Sequence, residues 1–397
     1  MGFVKLMEIK AHEDFFIFNE KYLYYVGLWP DTNVSRNRKI IYYIYEMFIH
    51  VLSMLYLLIT GIGTYEFKND FVVLMSNLDK TLVAYNFVLK TAFFVLKRND
   101  LKILINEIKN SGDRVSEGRK RLMISHIIVI TALSTSIVSA FCLLSTVRGE
   151  MTVEAWMPFN PLKNKKNLLI SMQLLAVTFI PCMYRAFAIQ GIVCTIIMYF
   201  CDQLDDLQDR MRNLVYSVEN EITMKKEFKD IIKKHVRLIG LVALTYKQDI
   251  KFSSYRKMFS SRYSKQFTSI FKEFFLVQNL AVTIELCLSA LMAGLEQRIL
   301  LASFLAYLFM ALLNAYIFCY LGDTLIIKSQ GIADAAFDSS WTSWPAKLQK
   351  DLLIVIRAAQ KPLKLSAGGI SVMCIQTYSQ ALYNAYSIFA VLNDIVD

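Results

Sequence analysis

Histidine is scarce in this chain. His12, His50, His126 and His235 are the only four in 397 residues, and none stands at metal-ligand spacing from another. No metal centre is expected, and no cofactor. The seven cysteines (Cys142, Cys182, Cys194, Cys201, Cys287, Cys319, Cys374) are odd in number and lie within or at the ends of apolar stretches. They suit small core positions better than a disulfide framework. No Ser/His/Asp or Cys/His arrangement, phosphate-cradling loop or acidic pair with a chemical rationale occurs, so no catalytic residue is named and an enzyme is not expected. Internal repeats are missing, which argues against the inverted halves of many secondary transporters. Residues 1–39 lack the short apolar core followed by small residues that a cleavable signal peptide needs, and none is expected.

Charge is also sparse. Only 19% of residues are charged and 55% are hydrophobic, above the roughly 45–50% apolar share of ordinary soluble proteins. The chain therefore reads as an all-α membrane protein embedded in a lipid bilayer. The net charge of +11 is spread between apolar segments and carries no zinc-finger or RNA-binding signature, so no nucleic-acid partner is expected.

Continuous apolar length predicts seven spans, at 40–62, 71–95, 122–147, 167–200, 266–293, 299–321 and 366–393. Asp79, Lys80 and Lys90 interrupt the second. The loops set the orientation: the N-terminal segment and residues 96–121, 201–265 and 322–365 hold 34 Lys and Arg, against 6 in the alternate set. Without the long 201–265 loop the contrast is still 20 to 6, so the positive-inside rule predicts a cytoplasmic N-terminus and an extracellular C-terminus. The Asn33-Val-Ser35 sequon would then face the cytoplasm unused. The organisation reads as a cytoplasmic or membrane-surface segment (1–39), spans one to four (40–200), a cytoplasmic helical loop (201–265), spans five and six (266–321), a cytoplasmic anchor segment (322–365), and a last helix with the C-terminus (366–397).

Apolar residues at helical steps (Leu204, Leu207, Met211, Leu214, Val218) predict a helix running from Cys201 to about Lys234. A second amphipathic piece runs from Trp344-Pro345 to Ala359, opened by a proline suited to a first helical turn. The closing helix carries a different signal. Thr377, Gln380, Asn384, Ser387, Val391 and Asp394 follow by steps of three and four on one face of an otherwise apolar rod. Such a stripe is either a pore wall or a surface that joins helices by packing and hydrogen bonds. Ionisable groups inside spans are costly and tend to be functional or paired. Lys80, Arg185 and Glu285 stand out, and Glu285 is expected to be neutralised by Lys80 or Arg185.

Cys319-Tyr-Leu-Gly-Asp323-Thr-Leu325, Ser329, Ile332-Ala-Asp-Ala-Ala-Phe337, Trp341, Pro345, Gln360-Lys-Pro-Leu-Lys-Leu365, Ala367-Gly-Gly369 and Tyr386-Ser-Ile-Phe389-Ala-Val-Leu392 follow in an order and spacing that resembles the C-terminal third of insect odorant receptors. Gly27-Leu-Trp-Pro30 and His235 fit the same family. The resemblance implies seven spans with the N-terminus inside, and a tetrameric non-selective cation channel in the plasma membrane of olfactory sensory neurons. An odorant-binding subunit would join the shared olfactory co-receptor in it, with the last helix lining the pore for permeant cations. It puts the constriction at Val391 and Ile395, Asp394 in the outer vestibule, and Ser387, Asn384 and Gln380 below. The cytoplasmic parts of spans four to seven would anchor the subunits.

Family members bind ligand among spans two to six. Carried onto this chain, the candidate faces are Asn77, Thr81 and Tyr85; Ser136, Ser139 and Leu143; Met172 and Phe179; Val282 and Leu286; and Tyr307, Met310 and Asn314. A mostly apolar pocket with a few orienting polar groups suits a small volatile organic molecule. Basic sequence near 244–264 lengthens the distance from His235 to Cys287 beyond the family's pattern and blurs the start of span five. The chain differs from the co-receptor at its end and in length, which favours a ligand-recognising subunit. A G-protein-coupled receptor would need the opposite orientation and signatures after spans three and seven that are absent. A gustatory receptor would carry a Gln-Phe pair near Asn384-Ala385.

Overall fold

The computed structural model describes residues 15–31, 34–239, 263–293 and 298–396, apart from the side chains of 72, 239, 289–293, 298–304, 306, 307, 385 and 388–396. Residues 244–262 of the insertion and the sequon's Asn33 lie outside them, and a helix takes up the chain at Tyr263. Ten α-helices make up nearly all of the described chain: α1 (Ile17–Tyr25), α2 (Arg36–Glu66), α3 (Phe71–Lys109), α4 (Glu117–Arg148), α5 (Lys165–Arg212), α6 (Glu221–Ile239), α7 (Tyr263–Ala293), α8 (Arg298–Phe337), α9 (Ala346–Ala359) and α10 (Ile375–Val396). Among the described residues, four stretches are long and apolar enough to cross a membrane: α2, α4, α5 and the Leu308–Phe337 part of α8.

The bundle is built around α5. From Cys182 to Cys201 nearly every side chain is buried, as a helix apolar on all sides requires. It packs against α1, α2, α3, α4, α6 and α8. Asn164 caps its start by accepting from the Asn167 N–H at 2.8 Å, and Asp70 caps α3 through the Val73 N–H at 3.2 Å. Gly149, at φ +77°, closes α4 in the left-handed conformation.

Four boundaries differ from the sequence reading. The helices expected at 71–95 and 299–321 continue to Lys109 and Phe337. Their extensions bury Leu101, Leu104, Ile105, Ile332, Ala335 and Ala336 in one core with α6 and α9, so packing rather than bilayer thickness sets their length. The helix expected over 201–234 is two helices. Ser217 and Asn220 each donate a backbone N–H to the other's side chain, at 2.8 and 3.2 Å respectively, and turn the chain between α5 and α6. The last helix begins at Ile375 instead of 366. Ser366 pairs with Val372 and Ala367 with Ser371 in a two-stranded hairpin, β1 (Ser366–Ala367) and β2 (Ser371–Val372). Its turn needs Gly368 at φ +63° and Gly369 at φ +80°.

The far end of the bundle is held by buried apolar contacts. Phe200, Phe267, Phe271 and Phe275 of α5 and α7 interlock, with ring centroids 4.9–6.4 Å apart. Asp113, in the α3–α4 turn, accepts from Tyr199 at 2.6 Å and from Arg237 at 2.6 Å. It thereby ties α5 and α6 to that turn. His235 of α6 is wholly buried, and neither ring nitrogen has a partner among the described residues. Burial drives its pKa down to about 4. All seven cysteines are free thiols.

Candidate functional site

Polar side chains converge where five apolar helices meet. Helix α3 presents Val83, Asn86, Phe87 and Lys90 at helical spacing, so one face serves the site. Helix α5 adds Phe179, Met183, Phe187 and Gln190 by the same logic. Ser134 and Val138 come from α4, Gln278 and Glu285 two turns apart from α7, and Met310, Ala311 and Asn314 from α8. They line a partly open cavity of about 80 Å³. Its wall is aromatic: Phe87 lies 6.2 Å from Phe179 and 6.0 Å from Phe187, centroid to centroid.

The floor is ionic. Lys90 donates to the Gln278 side-chain oxygen and sits 5.1 Å from the Phe274 ring centroid. Glu285 interacts electrostatically with Lys90 and Asp79. The expected partners of Glu285 lie elsewhere. Lys80 faces Glu154 and Glu150 in the loop after α4. Arg185 is fully buried beside α1 and α2. It donates to the carbonyls of Val26 (2.9 Å), Gly27 (3.3 Å) and Glu46 (3.3 Å), and its Nη1 lies 3.2 Å from His50 Nδ1. Arg98 bonds Glu46 at 2.7 Å and the Leu28 carbonyl at 3.3 Å, and Lys102 bonds the Pro30 carbonyl at 2.7 Å. The Gly27-Leu-Trp-Pro30 turn is thus clamped by three cations, and Gly27 adopts φ +75° at its crest.

Of the residues expected to contact ligand, Phe179, Met310 and Asn314 line this cavity. Asn77 instead clasps the α4–α5 loop, with its Nδ2 on the Glu154 carbonyl and its Oδ1 accepting from the Glu154 N–H, both at 2.9 Å. Thr81 is buried and bonds back to the Leu78 carbonyl, while Tyr85 is partly exposed beside Gly61. Ser136 and Ser139 line an outer groove with Phe18 and Tyr22, and Leu143 is exposed. Met172 packs with Tyr56, Ala84 and Leu175, its sulfur accepting from Thr152. Val282 and Leu286 pack with Ala315 on the other side of α7. The side chain of Tyr307 lies outside the described residues. Asn86, Lys90, Ser134, Gln190 and Gln278 were not among the expected contacts. Their signal is a polar residue one or two helical turns from another inside an apolar segment.

On α10, Gln380 and Asn384 are exposed and joined by a 2.9 Å bond, and Ser387 donates to the Tyr383 carbonyl. Thr377, Gln380 and Asn384 also border an open groove of about 270 Å³ against α7 and α8. Val391, Asp394 and Ile395 lie on the same helix, their side chains outside the described residues. Among the described residues no three acidic, His or Cys side chains cluster as metal ligands would.

The sequence profile described as 7tm Odorant receptor matches residues 70–386. The chain is 29% identical to Odorant receptor 2a of Drosophila melanogaster over 80 residues, 20% of each chain. It is 34% identical to Odorant receptor 49a of the same fly over 76 residues, 19% of each. With Odorant receptor Or2 of Anopheles gambiae it shares 29% over 98 residues, 25% of each. These matches span only about a fifth to a quarter of the relatives' length. The fold is similar to that of the insect olfactory receptor OR5 from Machilis hrabei, with TM-score 0.72 and 14% identity over 95% of this chain and 97% of that one. The same receptor in complex with eugenol aligns at TM-score 0.73, covering 97% and 99%.

Proposed function

Because this chain belongs to the insect odorant receptor family, we propose that it is an odorant-tuning subunit whose ligand enters the cavity among α3, α4, α5, α7 and α8. The observation that carries this reading is the cavity itself, an apolar and aromatic chamber with a small convergent polar set, the chemistry of a small-molecule site. The eugenol complex of the similarly folded receptor supports a small volatile as the occupant.

The subunit crosses the plasma membrane of olfactory sensory neurons seven times, by α2, α3, α4, α5, α7, α8 and α10, with its N-terminus in the cytoplasm. The excess of Lys and Arg in the N-terminal segment and alternate loops supports that orientation. It assembles with the olfactory co-receptor into a tetrameric, non-selective cation channel. Helix α10 lines the pore, with Val391 and Ile395 as the dry constriction, Asp394 attracting cations outside it, and Ser387, Asn384 and Gln380 below. The exposed polar face of α10 supports this role, since such a face needs water or a partner. Ligand opens the channel only through a higher affinity for the open state than for the closed one.

The test is electrical. Cells carrying this chain and the co-receptor are expected to pass cation current in response to members of a volatile panel, whereas cells with the co-receptor alone do not. Silence across the panel, with both chains at the cell surface, would remove the proposal.

A further inference from the structure

The reading above leaves the chemical class of the ligand open, and four buried atoms narrow it. Asn86 Oδ1, Ser134 Oγ, Gln190 Nε2 and Asn314 Oδ1 all belong to side chains lining the cavity, and none has a hydrogen-bond partner among the described residues. Asn86, Ser134 and Gln190 are more than nine-tenths buried. Unpaired buried polar atoms are costly and are rare in folded proteins unless something completes them. The amide of Asn314 has a fixed sense, because its Nδ2 donates to the Met310 carbonyl at 2.9 Å. Only nitrogen can do that, so Oδ1 is the end turned free, and it is an acceptor. Gln190 offers the opposite, a free donor.

Resting on that reading of the cavity as the odorant site, we propose that the ligand is a neutral volatile bearing a hydroxyl group, an alcohol or a phenol. Its O–H donates to Asn314 Oδ1 or Asn86 Oδ1, and its oxygen accepts from Gln190 Nε2. An ester, ether, ketone or aldehyde only accepts, so it would satisfy Gln190 and leave both asparagine oxygens bare. A carboxylate would be brought beside the Glu285 carboxyl group, and Lys90, the cation lining the cavity, is already engaged by Gln278. An ammonium would be driven in beside Lys90. Neutral ligands avoid both penalties in a site of low dielectric. The cavity of about 80 Å³ is smaller than the roughly 150 Å³ chamber that takes a benzene ring. The hydroxyl end and a few carbons fit as it stands, and Met183 and Met310, with flexible thioether chains, are the walls that yield to the remainder.

The experiment compares an alcohol with its methyl ether, aldehyde, carboxylic acid and primary amine on one shared carbon skeleton, and phenol with anisole. Binding is read as ligand-induced thermal stabilisation of the purified full chain, and gating as current with the co-receptor. The half-saturating concentration of the alcohol is expected roughly tenfold or more below that of its ether. Asn314→Leu and Gln190→Leu are each expected to bring that ratio close to one while ether binding is retained. The ratio is internal to each protein, and the parent chain's own ratio decides the matter if a variant fails to fold. Ether and alcohol binding equally, or acid or amine binding most tightly, overturns the inference and leaves the odorant-receptor reading standing. A hydroxyl preference in binding without current supports the inference and removes the channel reading. No binding by any member removes both.

Discussion

Gly322→Ala isolates the joint between α8 and the base of α10. A Cβ at Gly322 would lie 2.1 Å from the Met373 carbonyl oxygen and 3.1 Å from its carbon, backbone atoms that no rotamer change can move. Restoring an ordinary contact requires a shift of roughly one ångström by α8 or by the chain just before Ile375. Met373 is poorly placed to give way. Its side chain is wholly buried and its N–H donates to the Leu365 carbonyl at 2.9 Å. Overpacking costs about 1–3 kcal/mol, losing that hydrogen bond about 1 kcal/mol, and replacing a helical glycine returns about 0.5–1 kcal/mol. The net destabilisation is about 1–3 kcal/mol. Gly118→Ala is the control, a helical glycine with nothing within 4 Å of the added methyl. Thermal melting of the two purified variants is expected to show Gly322→Ala below the parent and Gly118→Ala level with it or slightly above. A Gly322→Ala protein that melts with the parent would refute the packing argument.

Arg185→Lys should lose much of the folded, monodisperse protein on gel filtration, at a cost of at least about 2 kcal/mol. A lysine cannot reproduce the fork that reaches three carbonyls at once. An unchanged elution profile would show the clamp to be dispensable. His235 sets a pH dependence. Its folded pKa of about 4 lies below the ordinary value near 6.5, so the unfolded chain binds more protons between those limits. Its contribution is full above pH about 6.5 and is lost as pH falls toward about 4, reaching about 3 kcal/mol. Melting curves of His235→Leu should be flatter than the parent's across that window, and equal slopes would refute the assignment. Asp394→Asn and Val391→Ala, co-expressed with the co-receptor, should lower relative divalent permeability and raise resting leak respectively. If neither permeability nor block changed, α10 of this subunit would not line the conduction path.

Much of the architecture was legible because long apolar runs leave a helix few alternatives. Helices occur at all seven expected stretches. What periodicity did not carry was where a helix stops once it leaves an apolar run. The ends of α3 and α8 are fixed by a distant core, the α5–α6 break by an Asn/Ser turn, and the start of α10 by a Gly-Gly hairpin. The site shows the same division. A buried ionisable group signals that a partner exists, but periodicity does not name it: Glu285 couples electrostatically to Lys90, on the face of α3 that the candidate set of Asn77, Thr81 and Tyr85 did not include. Asn77 illustrates why. A polar residue in an apolar helix can serve a neighbouring loop as readily as a ligand, and Glu154 lies 77 positions away.

The most direct measurement is a cryo-microscopy map of this chain assembled with the co-receptor in the presence of an activating volatile. The account predicts ligand density in the chamber bounded by Asn86, Phe179, Gln190 and Asn314, with α10 of this subunit facing the central axis. Density confined to the groove between α7 and α10, or an α10 turned into lipid, would contradict it.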